Sequence, residues 1–314
     1  MGVGVVQVQQ FTKTLKKGFD GVFTEVTHTE SLGLRNPNQL RMFHLDVANN
    51  TFSFDALHEF LLRNIGRYVF SRAKMEQFRI DDDLEVVGAK AIGLLRDAYK
   101  MDEEWIGEEL GDVMLYVFLE QILGAPKLFS KIELAPFGDQ SVLHSGGVHL
   151  LSLGNTGTMP SYQMIFGKSN IIGDLQDAID NAFESLVEIR DNTGSELKVV
   201  ESTVFSQAYD PQTTNYLKSI ILPSKKKNAS VDKAFGVFLG YSLGLDPDNY
   251  SNTEFREELM LKMDTDIKAH VAYIIEKIKE TNLGTHSFYF YILPFNDADG
   301  EKQNIMNTLL KGAV

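Results

Sequence analysis

The order of predicted elements between residues 105 and 189 constrains the fold of this chain more than any other feature. A helix is expected from about residue 102 to residue 123, because apolar side chains recur at helical spacing and Gly124 and Pro126 then end the pattern. Three short apolar runs follow, separated by turn residues, at 128–134, 148–153 and 162–166. A strongly amphipathic helix then begins at Asp174. The segment therefore predicts a helix, a three-stranded meander and a second helix.

The last third of the chain predicts an extension of the same sheet. A strand at 235–241, a helix at about 253–280 and a strand at 288–293 form a crossover, which joins parallel strands. Residues 191–230 are expected to form a loop that faces solvent or a partner. We therefore predict an α/β fold with an αβββαβ core, in which helices flank a mixed central sheet.

The chain is expected to form a single elaborated domain over residues 1–314. Three parts of that domain are predicted along the chain. They are an N-terminal helical and strand elaboration at 1–100, the core at 101–190, and a loop with a β-α-β extension at 191–314.

Net charge limits what this chain binds unaided. The formal charge of −13 repels the phosphates of nucleic acids and anionic membranes. Binding of DNA would need a local cationic track, a divalent metal at carboxylates, or a partner that delivers the substrate. Charge runs are more often solvated faces than binding tracks. The candidate tracks are Lys13, Lys16 and Lys17; Arg63, Arg67, Arg72 and Lys74; and Lys225, Lys226 and Lys227.

The residue inventory excludes several kinds of chemistry. The chain has no cysteine, so disulfides, thiolate metal ligands and a cysteine nucleophile are ruled out. No Gly-x-Ser-x-Gly motif is present, which disfavours a serine hydrolase. Residues 1–10 lack the features of a signal peptide, and no window approaches a membrane-spanning length. We therefore expect a cytoplasmic protein with no membrane partner.

The αβββα order is that of the restrictase-like PD-(D/E)xK nuclease core. A metal-dependent phosphodiesterase needs carboxylates that hold Mg²⁺ against the scissile phosphate, and often a lysine that stabilises the developing negative charge. In such a core an acidic residue lies on the first helix, an Asp begins the second strand, and a Glu-x-Lys pair lies on the third. Alternate residues of a strand point to one side, which explains the spacing of two.

Five short motifs follow one another in this part of the chain. They are 107–116 (GEELGDVMLY), 124–131 (GAPKLFSK), 146–149 (GGVH), 166–169 (FGKS) and 177–183 (DAIDNAF). Their order and spacing resemble the HamA-type effectors of the Hachiman antiphage defence system, over roughly residues 43–190. The resemblance implies a superfamily 2 DNA helicase as partner subunit, DNA as substrate, and Mg²⁺ or Mn²⁺ as cofactor.

The chain departs from that family at the positions that would carry chemistry. Where members with a recognisable nuclease site are expected to have Asp, Glu and Lys, this chain has Gly146, Lys168 and Asn170. Carboxylates on the two flanking helices are available as replacements. They are Glu109, Asp112, Asp174 and Asp177.

From the resemblance and these replacements we expect Glu109 and Asp174 to bind Mg²⁺, Lys168 to stabilise phosphate charge, and His149 to orient water or a ligand. Each residue also has a structural alternative. Glu109 could instead be a solvent-facing residue on the polar side of its helix. His149 is in a strand, where a packed and hydrogen-bonded histidine is common. Lys168 is expected on a loop before a helix, and Asp174 at a place where Asp commonly caps a helix.

The predicted function is that of an effector subunit in a two-component bacterial antiphage defence complex, a metal-dependent DNA endonuclease controlled by a partner helicase. An alternative is a catalytically silent interaction or regulatory subunit of such a complex, which the replaced residues Gly146 and Asn170 favour. A third reading is a module that recognises DNA ends through phosphate without cutting. That module would bind DNA in a salt-dependent and metal-independent manner.

Overall fold

The computed structural model describes residues 18–99, 105–134, 144–156, 159–206 and 230–311. The strands are β1 (Thr24–Val26), β2 (Asn38–His44), β3 (Val47–Ala48), β4 (Thr51–Phe52), β5 (Lys127–Ser130), β6 (Gly147–Thr156), β7 (Met159–Ile171), β8 (Ser230–Ser242) and β9 (Ser287–Phe295). The helices are α1 (Asp55–Val69), α2 (Arg72–Ile80), α3 (Val87–Tyr99), α4 (Trp105–Gln121), the short α5 (Lys131–Leu134), α6 (Leu175–Ser206), α7 (Asn252–Glu280) and α8 (Ala298–Lys311).

A mixed sheet lies at the centre of the fold. Its strand order is β1-β2-β9-β8-β7-β6-β5, and β3 pairs separately with β4. Strands β2, β9, β8 and β7 run parallel to one another, whereas β1, β6 and β5 pair antiparallel with their neighbours. The predicted α/β class, the antiparallel meander β5-β6-β7 and the parallel crossover β8-α7-β9 are confirmed. The more specific assignment to a restrictase-like PD-(D/E)xK core stays a prediction.

Helices cover both faces of this sheet. Phe118 of α4 contacts Tyr291 of β9 with ring centroids 5.2 Å apart, and Phe183 of α6 contacts Phe290 with centroids 6.2 Å apart. Successive residues of a strand point to opposite faces, so α4 and α6 lie on opposite sides of the sheet. Every residue of β9 is buried, as expected for a parallel strand covered on both faces.

Three segments near the candidate site differ from the prediction. Residues 131–134 form a helical turn instead of continuing β5. Strand β7 extends to Ile171 because β8 pairs with it along its length, so Lys168 lies within a strand instead of on a loop. Helix α6 continues to Ser206, so the first part of the predicted 191–230 loop is helical. Residues 207–229 of that loop lie outside the described residues.

The helices outside the core also differ in detail. In the predicted N-terminal elaboration, helix α3 begins at Val87, after a 3₁₀ turn at Leu84–Val86. Helix α8 was not predicted, and it packs against α4 and the ends of β7, β8 and β9. Within the described ranges, no helix is both long enough and apolar enough to cross a membrane.

Candidate active site

Helix α4 approaches strand β7 closely at Gly111. A Cβ atom on this glycine would lie 2.6 Å from the Cβ and the Oγ of Ser169, which is closer than real side chains come. Gly111 therefore allows the helix backbone to lie against the strand. Because α4 lies this close to β7, the acidic residues on either side of Gly111, Glu109 and Asp112, also lie close to the sheet.

The carboxylate of Asp112 occupies the space beside Gly146. A Cβ atom at residue 146 would lie 2.1 Å from Asp112 Oδ2 and 2.4 Å from Oδ1. Ser169 donates a hydrogen bond from its hydroxyl to Asp112 Oδ1, with an Oγ to Oδ1 distance of 2.5 Å. The φ angle of Gly146 is not in the left-handed region, so the backbone conformation does not itself require glycine there. Space for the Asp112 carboxylate is the reason for glycine at this position.

Glu109 lies on the same helix, three residues before Asp112, and is 6% exposed. Among the described residues, its Oε1 atom has no hydrogen-bond partner. Burial, and next the charge of Asp112, raise the pKa of Glu109 to about 8, while the nearby Tyr68 hydroxyl and the charge of Lys131 oppose the rise. A solvent-facing Glu109, the structural alternative from sequence, is therefore wrong.

Two lysines place positive charge near these carboxylates. Burial raises the pKa of Asp112, and the charge of Lys168, the Ser169 hydrogen bond and the charge of Lys131 oppose that rise. The backbone N–H of Lys131 donates to the carbonyl of Gly146 at 2.8 Å, which fixes α5 beside the entrance of β6. Lys168 therefore lies near Asp112, while its predicted role on phosphate stays a prediction; Lys131, which was not predicted as a site residue, lies near both carboxylates.

A small pocket adjoins Asp112 and contains His149. The cavity has a volume of about 10 Å³, which is close to the minimum needed to hold one ordered water molecule. His149 is 3% exposed, and its Nδ1 lies 2.8 Å from the carbonyl oxygen of Ala125. The ring of Tyr116 lies 6.0 Å from the imidazole. His149 is thus packed and hydrogen-bonded as its structural alternative predicted, and it also lines the pocket beside Asp112.

Lys127 is a further charged residue of this pocket. Its side chain is 2% exposed, and its ammonium donates to the backbone carbonyl of Tyr68 and to Ser130 Oγ, the latter at 3.2 Å. The ammonium also lies 5.5 Å from the centre of the Tyr68 ring and 5.7 Å from that of Tyr116. Lys127 belongs to the motif at 124–131, but hydrophobic periodicity did not predict its burial, because its strand is only four residues long.

Asp174 caps helix α6. Its Oδ1 accepts hydrogen bonds from the backbone N–H groups of Gln176, at 2.7 Å, and Asp177, at 3.1 Å. The capping role considered from sequence is therefore present. Participation of Asp174 in metal binding stays a prediction.

The predicted cationic tracks are only partly within the described residues. Lys13, Lys16 and Lys17, and the run from Lys225 to Lys227, lie outside them. Arg63 forms an ion pair with Glu59 at 3.1 Å, and Arg67 donates to the backbone carbonyl of Arg63 at 2.9 Å. These two arginines lie on the last turns of α1, the helix that also carries Tyr68 toward the site.

The carboxylates of Glu109 and Asp112 could hold a Mg²⁺ ion that takes its remaining ligands from water or phosphate. Within the described ranges, no group of three or more His, Asp or Glu side chains is arranged to enclose a metal ion. Mg²⁺ nonetheless binds proteins through only one or two carboxylates, because it keeps several waters or takes phosphate oxygens as further ligands. Glu109 and Asp112 supply two carboxylates, and the unpartnered Oε1 of Glu109 is a buried acceptor that a cation would satisfy. The residues therefore fit a divalent ion that is shared with phosphate.

These features define an α/β protein in which an acidic helix is held against a mixed sheet, with a buried Glu109 and a half-buried Asp112 near two lysines. A family model described as HamA matches residues 20–309, nearly the whole chain, and the chain belongs to the HamA family. It is thus a component of Hachiman antiphage defence, which works with partner proteins. Comparison with curated proteins and with solved structures gives no match.

Proposed function

We propose that this chain is the DNA-cleaving effector of a Hachiman complex, a metal-dependent endonuclease controlled by a partner helicase. One observation carries the proposal. Glu109 is buried, has an unpartnered carboxyl oxygen and lies beside a second carboxylate. Burial of an acid beside a second, half-buried acid is costly, and functional sites are a common reason for it.

The chain's own residues have separate roles in this proposal. A bound Mg²⁺ or Mn²⁺ would polarise a phosphoryl oxygen and make a bound water more acidic. Glu109 contributes a carboxylate to the cation. Lys168 and Lys131, whose charges already reach Asp112, offset negative charge on the phosphate during cleavage. His149 lines the adjoining pocket, where it orients a water molecule.

The net charge supports delivery of DNA by a partner. The −13 net charge disfavours capture of DNA by the chain alone, and the two arginines at the end of α1 form a small track at most. A helicase that already holds DNA would supply the substrate at high local concentration. In this proposal the helicase keeps the effector inactive until it engages damaged or invading DNA.

The test compares the isolated chain with the reconstituted complex. Supercoiled plasmid would be incubated with Mg²⁺ or EDTA, with the chain alone and with chain plus helicase and ATP. The proposal predicts metal-dependent nicking by the isolated chain, suppression by the resting helicase, and recovery when the helicase is given DNA ends. Nicking that is unchanged in EDTA would reject a metal-dependent nuclease.

A second candidate is a silent interaction subunit of the same complex. The lack of a three-residue acidic or histidine cluster among the described residues favours it, as does Lys168 on the strand where a ligand is expected. It predicts that the chain binds the helicase but gives no nicking with either metal. The same experiment thus distinguishes the two.

A further inference from the structure

The structure assigns the second metal-binding carboxylate to Asp112, on α4, and makes Gly146 the residue that admits it. The inference deepens the proposed function, since it rests on a divalent cation being bound there. From the sequence alone, Asp174 was expected to be the second metal ligand; it lies at the start of α6, on the other side of the sheet from α4.

The first support is the position of the Asp112 carboxylate. All three of its atoms, Oδ2, Cγ and Oδ1, lie 2.1 to 2.4 Å from the point where a Cβ of residue 146 would be. A side chain cannot exist at residue 146 while Asp112 keeps this conformation. The carboxylate of Asp112, on helix α4, thus occupies the position that the Cβ of an acidic residue at 146 would take, just before strand β6.

The second support is independent of that contact and concerns Glu109. Its Oε1 is buried and lacks a hydrogen-bond partner among the described residues, although buried carboxyl oxygens are normally satisfied. Glu109 and Asp112 are three residues apart on a helix, so their side chains project to neighbouring positions. A cation held by Glu109 and Asp112 would satisfy the open oxygen and offset the charge of both carboxylates.

Asp174 is less suited to the same task. Its Oδ1 is engaged by two backbone N–H groups of α6, and the side chain is exposed. Asp112, in contrast, is held by one short hydrogen bond from Ser169, which leaves Oδ2 without a described donor. Ser169 therefore orients the carboxylate without occupying both oxygens.

Metal titration of matched variants tests the assignment. Mn²⁺ binding to the purified chain would be followed by electron paramagnetic resonance for wild type, Asp112→Asn and Gly146→Ala. Asn keeps the size of Asp112 and an oxygen for Ser169, and Ala displaces the carboxylate without removing it. Loss of a positioning group around a metal typically costs 10- to 100-fold in affinity, so both variants should bind Mn²⁺ at least about tenfold more weakly. Gly93→Ala is the control, since a Cβ there meets nothing within 4 Å.

A double-mutant cycle on stability gives a readout that needs no metal. Gly146→Ala should lower the melting temperature in EDTA when Asp112 is present and should lower it much less in an Asp112→Ala background, where the clash is gone. The double variant Asp112→Ala/Gly146→Asp should regain Mn²⁺ binding, because it returns a carboxylate to the same region of the site from the strand. Asp174→Asn should leave Mn²⁺ affinity unchanged.

The outcomes separate this inference from the proposed function. Wild-type binding that is unchanged in Asp112→Asn would overturn the assignment of Asp112, while nicking activity would leave the nuclease proposal in place. Binding that is lost in Asp112→Asn, with no nicking by the wild type, would support the cation site and reject the nuclease. Absence of Mn²⁺ binding by the wild type would overturn the assignment outright.

Discussion

Glu109 and Asp112 project from successive turns of α4, and the charge of Asp112 adds to burial in raising the pKa of Glu109 to about 8. The hydroxyl of Ser169 fixes the Asp112 carboxylate from the opposing strand at 2.5 Å. An acidic pair that is held in this way repels itself when both groups are ionised. At neutral pH and without metal, the raised pKa keeps Glu109 mostly protonated, which avoids that repulsion; a bound cation would displace this proton and offset the charge of both carboxylates.

The pKa of Glu109 predicts how stability depends on pH in the absence of metal. Its folded-state pKa, about 8, is above the ordinary value of 4.5, so the folded state binds the proton more tightly than the unfolded state. The associated stability is fully present below about pH 4.5 and is lost as the pH rises through about 8. One such proton gives a slope of up to about 1.4 kcal/mol per pH unit.

Chemical denaturation in EDTA from pH 5 to pH 9 measures this effect. The neutral variant Glu109→Gln should show a flatter profile than the wild type and should be the more stable protein at pH 8. Glu257→Gln, at an exposed position of α7, should follow the wild-type profile. Parallel profiles for wild type and Glu109→Gln would show that Glu109 does not titrate in this range.

Substitution of Lys168 should separate cleavage from metal binding. Lys168→Ala removes a positive charge that acts on Asp112, so Mn²⁺ affinity should be unchanged or higher. The rate of plasmid nicking should fall by roughly tenfold or more, because charge stabilisation of the phosphate is lost. Lys198→Ala, at an exposed site on α6, is the matched control. Weaker Mn²⁺ binding by Lys168→Ala would contradict the assigned role.

Two substitutions of Asp174 distinguish a helix cap from a metal ligand. Asp174→Ala should cost about 1 kcal/mol of stability, because the N–H groups of Gln176 and Asp177 lose their acceptor. Asp174→Asn should be nearly neutral, since Asn caps helices as well as Asp does. Urea denaturation of the two variants checks this ranking. Equal losses of stability in both would show that the carboxylate charge, and not the acceptor, is what matters.

His149→Asn tests the role of the buried imidazole. The Asn side-chain amide can still donate to the carbonyl of Ala125, as Nδ1 is placed to do, while the second ring nitrogen is removed. If His149 orients water, nicking should decrease by roughly a hundredfold, the lower end of the range for positioned acid–base groups, at little change in melting temperature. Full nicking activity in a folded variant would assign His149 to packing alone.

Hydrophobic periodicity carried the larger elements of the fold. Three parts of the fold were predicted from the spacing of their apolar residues, which matches either a helix or a strand but not both. They are helix α4, the meander β5-β6-β7 and the crossover from β8 to β9. The end of β7 was not predicted. Residues 167–170 (GKSN) carry no strand signal, and their extended conformation depends on pairing with β8, which is distant in sequence.

The candidate site was only partly predictable for a related reason. Glu109 was chosen from its place on an acidic helix, yet its burial depends on Gly111 and Ser169 bringing α4 against the sheet. The contact between Asp112 and Gly146 joins residues 34 positions apart and has no local signature. Sequence reasoning treated Gly146 as the loss of a ligand, because the carboxylate that fills its space comes from another element.

The most direct test of the central claim is nicking of supercoiled plasmid by the purified wild type and Glu109→Gln, each with Mn²⁺ and with EDTA. We expect nicking by the wild type with Mn²⁺, none in EDTA, and a loss of roughly a hundredfold or more in Glu109→Gln. Equal nicking by the two proteins, or none by the wild type with either Mn²⁺ or Mg²⁺, would contradict it.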